Sequence, residues 1–270
     1  MLTRETFAKR FARRAVIGMV HFKALPGAPM FGGSMDGVIE AAVRDARALA
    51  NGGCDAIGCE NYGDRPFFKT RVPPETVAAM TRVISAIAGE VKLPIGVNVL
   101  RNDARAALAI AAAVDSAFIR INVHTGAMVT DQGIIEGEAA ETLRSRARLA
   151  PDVAIFADHL VKHATPIVEP DVVQSAKDLR HRGYADAIII TGAQTGAEAD
   201  PRRLEMLRDA LDDTPLLIGS GIDARNATMF ASADGAIVGT AMKRGARVDA
   251  PVDQKRVERI VRAFKAAGDR

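Results

Sequence analysis

Eight short runs of β-branched and other apolar residues recur down this chain, each followed by a loop and then a stretch of helical period. That alternation restricts the fold to a parallel α/β architecture. The candidate strands are 16–21, 55–60, 94–99, 117–122, 153–158, 186–191, 216–219 and 235–239, and the helical stretches 36–50, 75–88, 103–113, 137–149, 170–181, 201–211, 224–231 and 253–266 fill the intervals. Asp200 stands before Pro201 as an N-cap, Asp223 caps the next helix, and Gly52 and Gly183 sit where helices stop. Units of about 30 residues match a single-domain (β/α)8 TIM barrel, with an open doubly wound sheet as the runner-up. No low-complexity linker divides the chain, so the barrel is assigned to residues 15–270 and an N-terminal helical extension to residues 1–14.

A chain of 270 residues with 36 basic and 33 acidic groups carries a net charge of only +3, too diffuse for a nucleic-acid surface. Cys54 and Cys59 lie at an odd spacing in one apolar run, which points them to opposite faces of a strand and leaves both unpaired, as in a cytoplasmic protein. The apolar run 15–20 is too short for a signal peptide core, and 104–114 falls short of the roughly 20 residues of a transmembrane span. In the extension, Phe7 and Phe11 share one helical face among Arg4, Lys9, Arg10, Arg13 and Arg14. A helix covering the bottom of the barrel is preferred over a membrane-interface anchor, because two phenylalanines offer little area for insertion.

Barrel enzymes carry their chemistry at the C-terminal ends of the strands, and this chain places its unusual polar residues there. His21, Glu60 with Asn61, Asn98, Arg120 with Asn122 and His124, and Asp158 followed by Lys162 and His163 end the first five strands. With Glu60 facing the axis, so do Ala56 and Gly58; with Asp158 inward, so are Phe156 and Ala154. Glu60 and Asp158 are candidate general acid/base groups, His21 and His163 candidate proton shuttles, and Lys162 a countercharge for Asp158 in preference to a Schiff-base nucleophile. Asn61, Asn98, Arg120, Asn122, His124 and Asp131 are candidate substrate ligands. No cofactor is assigned; a divalent metal on Glu60, Asp158 and a histidine stays an option that no ligand spacing supports.

The last three strands end in small residues: Thr191-Gly192-Ala193-Gln194-Thr195-Gly196, Gly219-Ser220-Gly221 and Gly239-Thr240-Ala241. Glycine lets backbone N–H groups approach an anion, so these loops suit a phosphate. An acid/base arc beside an anion cradle fits a small phosphorylated substrate held by its non-reacting end. The segment 124–137 reads as a long loop hinged at Gly126, Gly133 and Gly137, serving as a lid or a subunit contact. A symmetric homo-oligomer is expected on general grounds alone.

Several blocks resemble the BtpA/SgcQ family: Ile17-Gly18-Met19-Val20-His21 with Leu25-Pro26-Gly27, Glu60-Asn61-Tyr62-Gly63-Asp64, Gly96-Val97-Asn98-Val99-Leu100-Arg101-Asn102-Asp103, Phe118 through Gly126, Thr130-Asp131-Gln132-Gly133, Val161-Lys162-His163-Ala164 and Gly219-Ser220-Gly221. Ala241-Met242 depart from that pattern, which calls for larger or more polar residues. The resemblance implies a ribulose-phosphate-binding type of TIM barrel. For activity it implies either an enzyme of carbohydrate or nucleoside metabolism or a non-catalytic factor in photosystem I biogenesis. Lyase, isomerase and glycosidic cleavage chemistry are all open, the last needing Glu60 and Asp158 on either side of an anomeric carbon. A sugar-phosphate sensor would use the same pocket without turnover.

Overall fold

The computed structural model describes residues 1–192, 198–211 and 213–268. In chain order the first elements are α1 (Arg4–Phe11), β1 (Ala15–His21), α2 (Met35–Asn51), β2 (Ala56–Glu60), α3 (Pro74–Glu90), β3 (Ile95–Asn98), α4 (Ala104–Ala113) and β4 (Phe118–Ile121). There follow β5 (Ala127–Thr130), β6 (Gly133–Glu136), α5 (Ala139–Leu149), β7 (Ala154–His159), β8 (Ala164–Pro166), α6 (Val172–His181), β9 (Ala187–Ile190), α7 (Pro201–Ala210), β10 (Leu216–Ile218), β11 (Gly235–Val238) and α8 (Gln254–Ala266). Eight of these strands close, all parallel, in the order β1-β2-β3-β4-β7-β9-β10-β11, and β11 returns to β1. Closure removes the open-sheet alternative.

Inside the barrel, Ile17, Met19, Phe118, Phe156, Ile189, Leu217 and Ile237 pack together, with Ala56 and Ala154 in the same layers. The alternation that puts Ala56 and Phe156 inward carries Glu60 and Asp158 inward as well. The Phe118 and Phe156 rings stack at 4.5 Å. Gly96 makes room for them, since a Cβ there would fall within the Phe118 ring's contact surface. The outward faces of the strands pack on the helices in a second and larger apolar layer.

Beneath the barrel, α1 inserts Phe7 (0% exposed) and Phe11 (3%) against the same two rings. Thr3 opens the helix with a reciprocal capping box. Arg10 donates to the carbonyls of Ala117 (2.7 Å) and Asp152 (2.9 Å), and Arg14 to that of Phe264 (2.9 Å). These phenylalanines close the barrel floor and are not available to a membrane. No helix among the described residues is long and apolar enough to cross one.

Two elements differ from the sequence expectation. The helix expected at 224–231 is only a 3-10 turn, Ala227–Phe230. Asn226 donates to the carbonyl of Gly221 (2.7 Å) and accepts from the backbone of Asp223 (2.9 Å), while Asp223 accepts from the backbone of Arg225 (2.7 Å). Side-chain bonds of this kind compete with helix formation. The long loop at 124–137 is a β-hairpin: β5 pairs with β6 and, on its other side, with β8 from the loop after β7. Gly133 holds φ at +93°, as the turn demands, and Val123, Met128, Ile135 and Val161 form a small core beneath.

Filling the space at Gly96 tests the interior packing. Gly96→Ala is expected to cost about 1–3 kcal/mol by overpacking, and Phe118→Leu in the same chain to recover part of that loss. Urea unfolding of the two single variants and the double variant measures the coupling; strictly additive effects would contradict the packing described.

Candidate active site

A cavity of about 610 Å³ opens at the C-terminal mouth of the barrel, within the range of small-molecule sites. One arc is lined by His21, Glu60, Arg120 and Lys162, and another by Gly219-Ser220-Gly221 and Gly239-Thr240. Asp131, at the tip of the hairpin, reaches over the opening, and His163 lines it too. Sequence reasoning missed Tyr62, Arg65, Phe67, Arg101 and Arg225, which also face the cavity. They lie in loops beyond the strand ends, where the two-residue period gives no direction.

Asp158 belongs to the scaffold of this site. Its carboxylate is fully buried and accepts from Arg120 at 3.0, 3.1 and 3.2 Å and from Asn122 Nδ2 at 2.6 Å. Both oxygens are occupied, and the residue backs onto a second cavity of about 450 Å³ beneath the hairpin, not onto the main one. Of Glu60 and Asp158, Glu60 is the one that lines the main cavity, and no hydrogen bond reaches its carboxylate among the described residues. The two carboxylates are therefore not presented as a pair across one substrate position. Among the described residues no three His, Cys, Asp or Glu side chains form a metal-binding group.

Lys162 does not pair with Asp158, which Arg120 and Asn122 already hold. Among the described residues its amine has no ion-pair partner, and it faces the cavity. Burial first, and the Arg120 guanidinium second, bring it down from 10.5 to about 8, against the opposing pull of Glu60 and Asp158. Burial, then the Lys243 and Lys162 cations, hold His21 well below the ordinary histidine range. His21 is thus neutral near pH 7, so its 3.9 Å approach to Glu60 is not an ion pair. Its ring stacks on Tyr62 at 4.8 Å. Burial, then Lys162 and Arg101, also lower His163.

Other expected ligands are tied into the framework. Asn61 accepts from the backbone of Leu100 (2.7 Å) and donates to Asp64 (3.1 Å), locking the loop after β2 to the end of β3. Asn98 donates to the carbonyl of Arg120 (3.1 Å), and His124 is pinned to the carbonyl of Gly183 (2.7 Å), away from the cavity. None of these three lines the main cavity. Thr191 is buried, and the backbone N–H of Gly192 donates to the Ser220 hydroxyl (2.8 Å), linking two of the small-residue loops. Residues 193–196 of that segment lie outside the described residues.

A serine–histidine contact at His159 and Ser175 (2.8 Å) does not form a nucleophilic dyad. Arg203 donates to His159 Nδ1 (2.8 Å), which leaves the proton on Nε2, donating to the serine rather than accepting from it.

The BtpA family model matches residues 12–266 of this chain. The chain is 46% identical over 250 residues to the photosystem I biogenesis protein BtpA of Synechocystis sp., covering 92% of this chain and 87% of that protein. It is 33% identical over 252 residues to the putative sgc region protein SgcQ of Escherichia coli, covering 92% and 93%. Among solved structures, 3-hexulose-6-phosphate synthase from Salmonella typhimurium superposes with a TM-score of 0.61 at 11% identity, over 94% of this chain and 99% of that one. At that identity the likeness is one of fold.

Two substitutions separate the roles of the buried charges. Asp158→Asn leaves Arg120 buried without its counter-ion and is expected to cost about 3–5 kcal/mol in urea unfolding; a loss within experimental error would contradict the scaffold role. Lys162 has a folded pKa of about 8 against 10.5, so the folded chain binds fewer protons than the unfolded one between those values. Stability therefore rises with pH across that window. Lys162→Met is expected to remove that rise, seen as urea midpoints that no longer climb between pH 8 and 10.5 relative to the parent chain.

Proposed function

This chain belongs to the BtpA family, and from that membership and the cavity we propose that it is an enzyme acting on a small phosphorylated sugar or ribosyl compound. The observation that carries the reading is the division of one cavity into two arcs. Gly219-Ser220-Gly221 and Gly239-Thr240 offer close backbone approach, while Glu60, neutral His21 and Lys162 supply groups that move protons or attack. No α-helix begins at either small-residue loop, since the segments that follow are 3-10 turns, Ala227–Phe230 and Thr240–Met242. The anion is therefore assigned to backbone N–H groups of the loops, helped by the excess of arginine and lysine at the mouth. A neighbour of the same fold is named for a phosphorylated hexulose. Anchoring the phosphate fixes the reacting end of the substrate over Glu60 and Lys162, which is how binding energy remote from the chemistry accelerates it.

A second reading, a non-catalytic assembly factor, is favoured by the name of the Synechocystis relative. It also draws on the hairpin sheet, where Val129 and Ile134 pair across β5 and β6 and are exposed, beside Ile167 (56% exposed) and Val168 (78%). Under this reading the cavity needs no turnover.

Melting curves with a panel of sugar phosphates and their unphosphorylated counterparts test the first reading. At least one phosphorylated compound is expected to raise Tm, its counterpart is not, and product is expected by mass spectrometry. Ser220→Asp keeps an acceptor for the Gly192 N–H but adds a negative charge to the loop, and is expected to abolish the shift. A shift with no product anywhere in the panel favours a sensor; no shift with any phosphorylated compound removes the phosphate reading.

A further inference from the structure

Building on the reading of a phosphate-anchored substrate, we propose that Lys162 is the covalent centre of this site, its Nζ condensing with a ketone or aldehyde carbonyl of the substrate to form an imine. Four observations support this. Lys162 follows β7 and lines the cavity. Its natural counter-ion, Asp158, is held by Arg120 and Asn122. Lys162 lines the cavity with no carboxylate within 4.0 Å among the described residues, whereas Lys265 is neutralised by Asp55 at 2.7 Å. Arg101 donates to the Lys162 backbone carbonyl (2.7 Å), which fixes the chain at this residue and brings a second guanidinium near the amine beside that of Arg120.

Placing two guanidinium groups around a half-buried amine favours its neutral, nucleophilic form, and the lowering to about 8 agrees with that geometry. As a countercharge the same lysine would need the carboxylate that it lacks. The step is balanced without any further reagent. The nitrogen lone pair attacks the carbonyl carbon, and the oxygen leaves with the two amine protons as one water. The imine nitrogen, once protonated by water, accepts the electron pair of a C–H bond on the neighbouring carbon, whose proton passes to Glu60, and a proton given back to that carbon restores the iminium. Hydrolysis by water returns the free lysine. Glu60 interacts with Lys162 through space and its carboxylate takes part in no hydrogen bond among the described residues, so it is the base placed to take the proton released beside the iminium carbon. Neutral His21 is the second group at the same arc able to carry a proton.

Trapping tests this directly. The full chain is incubated with dihydroxyacetone phosphate and sodium borohydride, which reduces an imine to a stable secondary amine, and the adduct is mapped by peptide mass spectrometry. Dihydroxyacetone serves as the parallel probe and inorganic phosphate as competitor. Near pH 7.5, labelling of Lys162 is expected at roughly tenfold or more above the mean of the other lysines, suppressed by inorganic phosphate and absent from Lys162→Arg. Labelling of Lys162 by both probes alike, untouched by inorganic phosphate, would uphold the imine and overturn the phosphate anchor. A Tm raised by dihydroxyacetone phosphate with no preferential label on Lys162 would overturn the imine and leave the anchor standing. Because the label is mapped in the parent chain, the outcome does not depend on how well the variant folds.

Discussion

Closure of eight parallel strands forces every second residue of each strand toward a common axis, and that geometric constraint decides what the rest of this molecule can be. At the floor and middle of the barrel the axis is filled by Phe118, Phe156, Ile17, Met19, Ile189, Leu217 and Ile237, sealed from below by Phe7 and Phe11. Large residues on some strands require small ones on their neighbours, as with Gly96 beside Phe118. At the upper end the same register delivers Glu60, Asn98, Arg120 and Asp158 inward, so four polar side chains are driven into a space lined below by hydrocarbon. Some of them must satisfy one another there, because an unpaired charge in that position costs several kcal/mol.

The Arg120–Asp158 pair, completed by Asn122, is how this barrel meets that demand. Once formed, it removes Asp158 from the chemistry and fixes Arg120 as a rigid cation at the cavity wall. Among the described residues it also leaves Lys162 without an ion-pair partner, and Glu60 as the carboxylate lining the cavity among the side chains that end the strands. A buried ion pair of this kind is weak evidence for stability, since a well-packed apolar pair would serve as well or better. Its presence here is better explained by what it does to its neighbours: an amine close to a fixed guanidinium is held nearer to neutrality than one facing a carboxylate.

Much of the fold was legible in the sequence because strand period and loop punctuation are local signals. The eight barrel strands fall within about two residues of where alternation places them, and the inward face followed from the same period. The hairpin was missed although Met128, Val129, Ile134 and Ile135 flank a Thr130-Asp131-Gln132-Gly133 turn; its glycines read as hinges when Gly133 is simply the turn residue. The helix expected at 224–231 failed because Asp223 and Asn226 bond to the backbone around them. At the site, sequence placed residues at the mouth but could not say which would satisfy each other. Asn61, His124 and Asp158 have the chemistry of ligands and catalysts, yet each is engaged through space by a partner at least 36 residues away in sequence or by backbone from another loop. Arg101 and Tyr62 gave the converse error, since nothing local marks a loop residue as facing a cavity.

The same distinction bears on how one barrel accommodates two kinds of role. Cavity chemistry is set by residues on rigid strand ends, whereas contacts with other macromolecules fall to whatever the loops present outside. Here the hairpin spans both regions: Met128 and Ile135 face inward onto Val123 and Val161, Val129 and Ile134 face solvent, and Asp131 at its tip lines the cavity. Movement of the hairpin would therefore change the negative charge that Asp131 presents to His163 and Arg101. A protein bound to the exposed face of this sheet would act on the cavity only by displacing Asp131, and any such coupling would be reciprocal. An assembly role and an enzymatic one are thus not exclusive on physical grounds; the hairpin is the element through which either would be felt by the other.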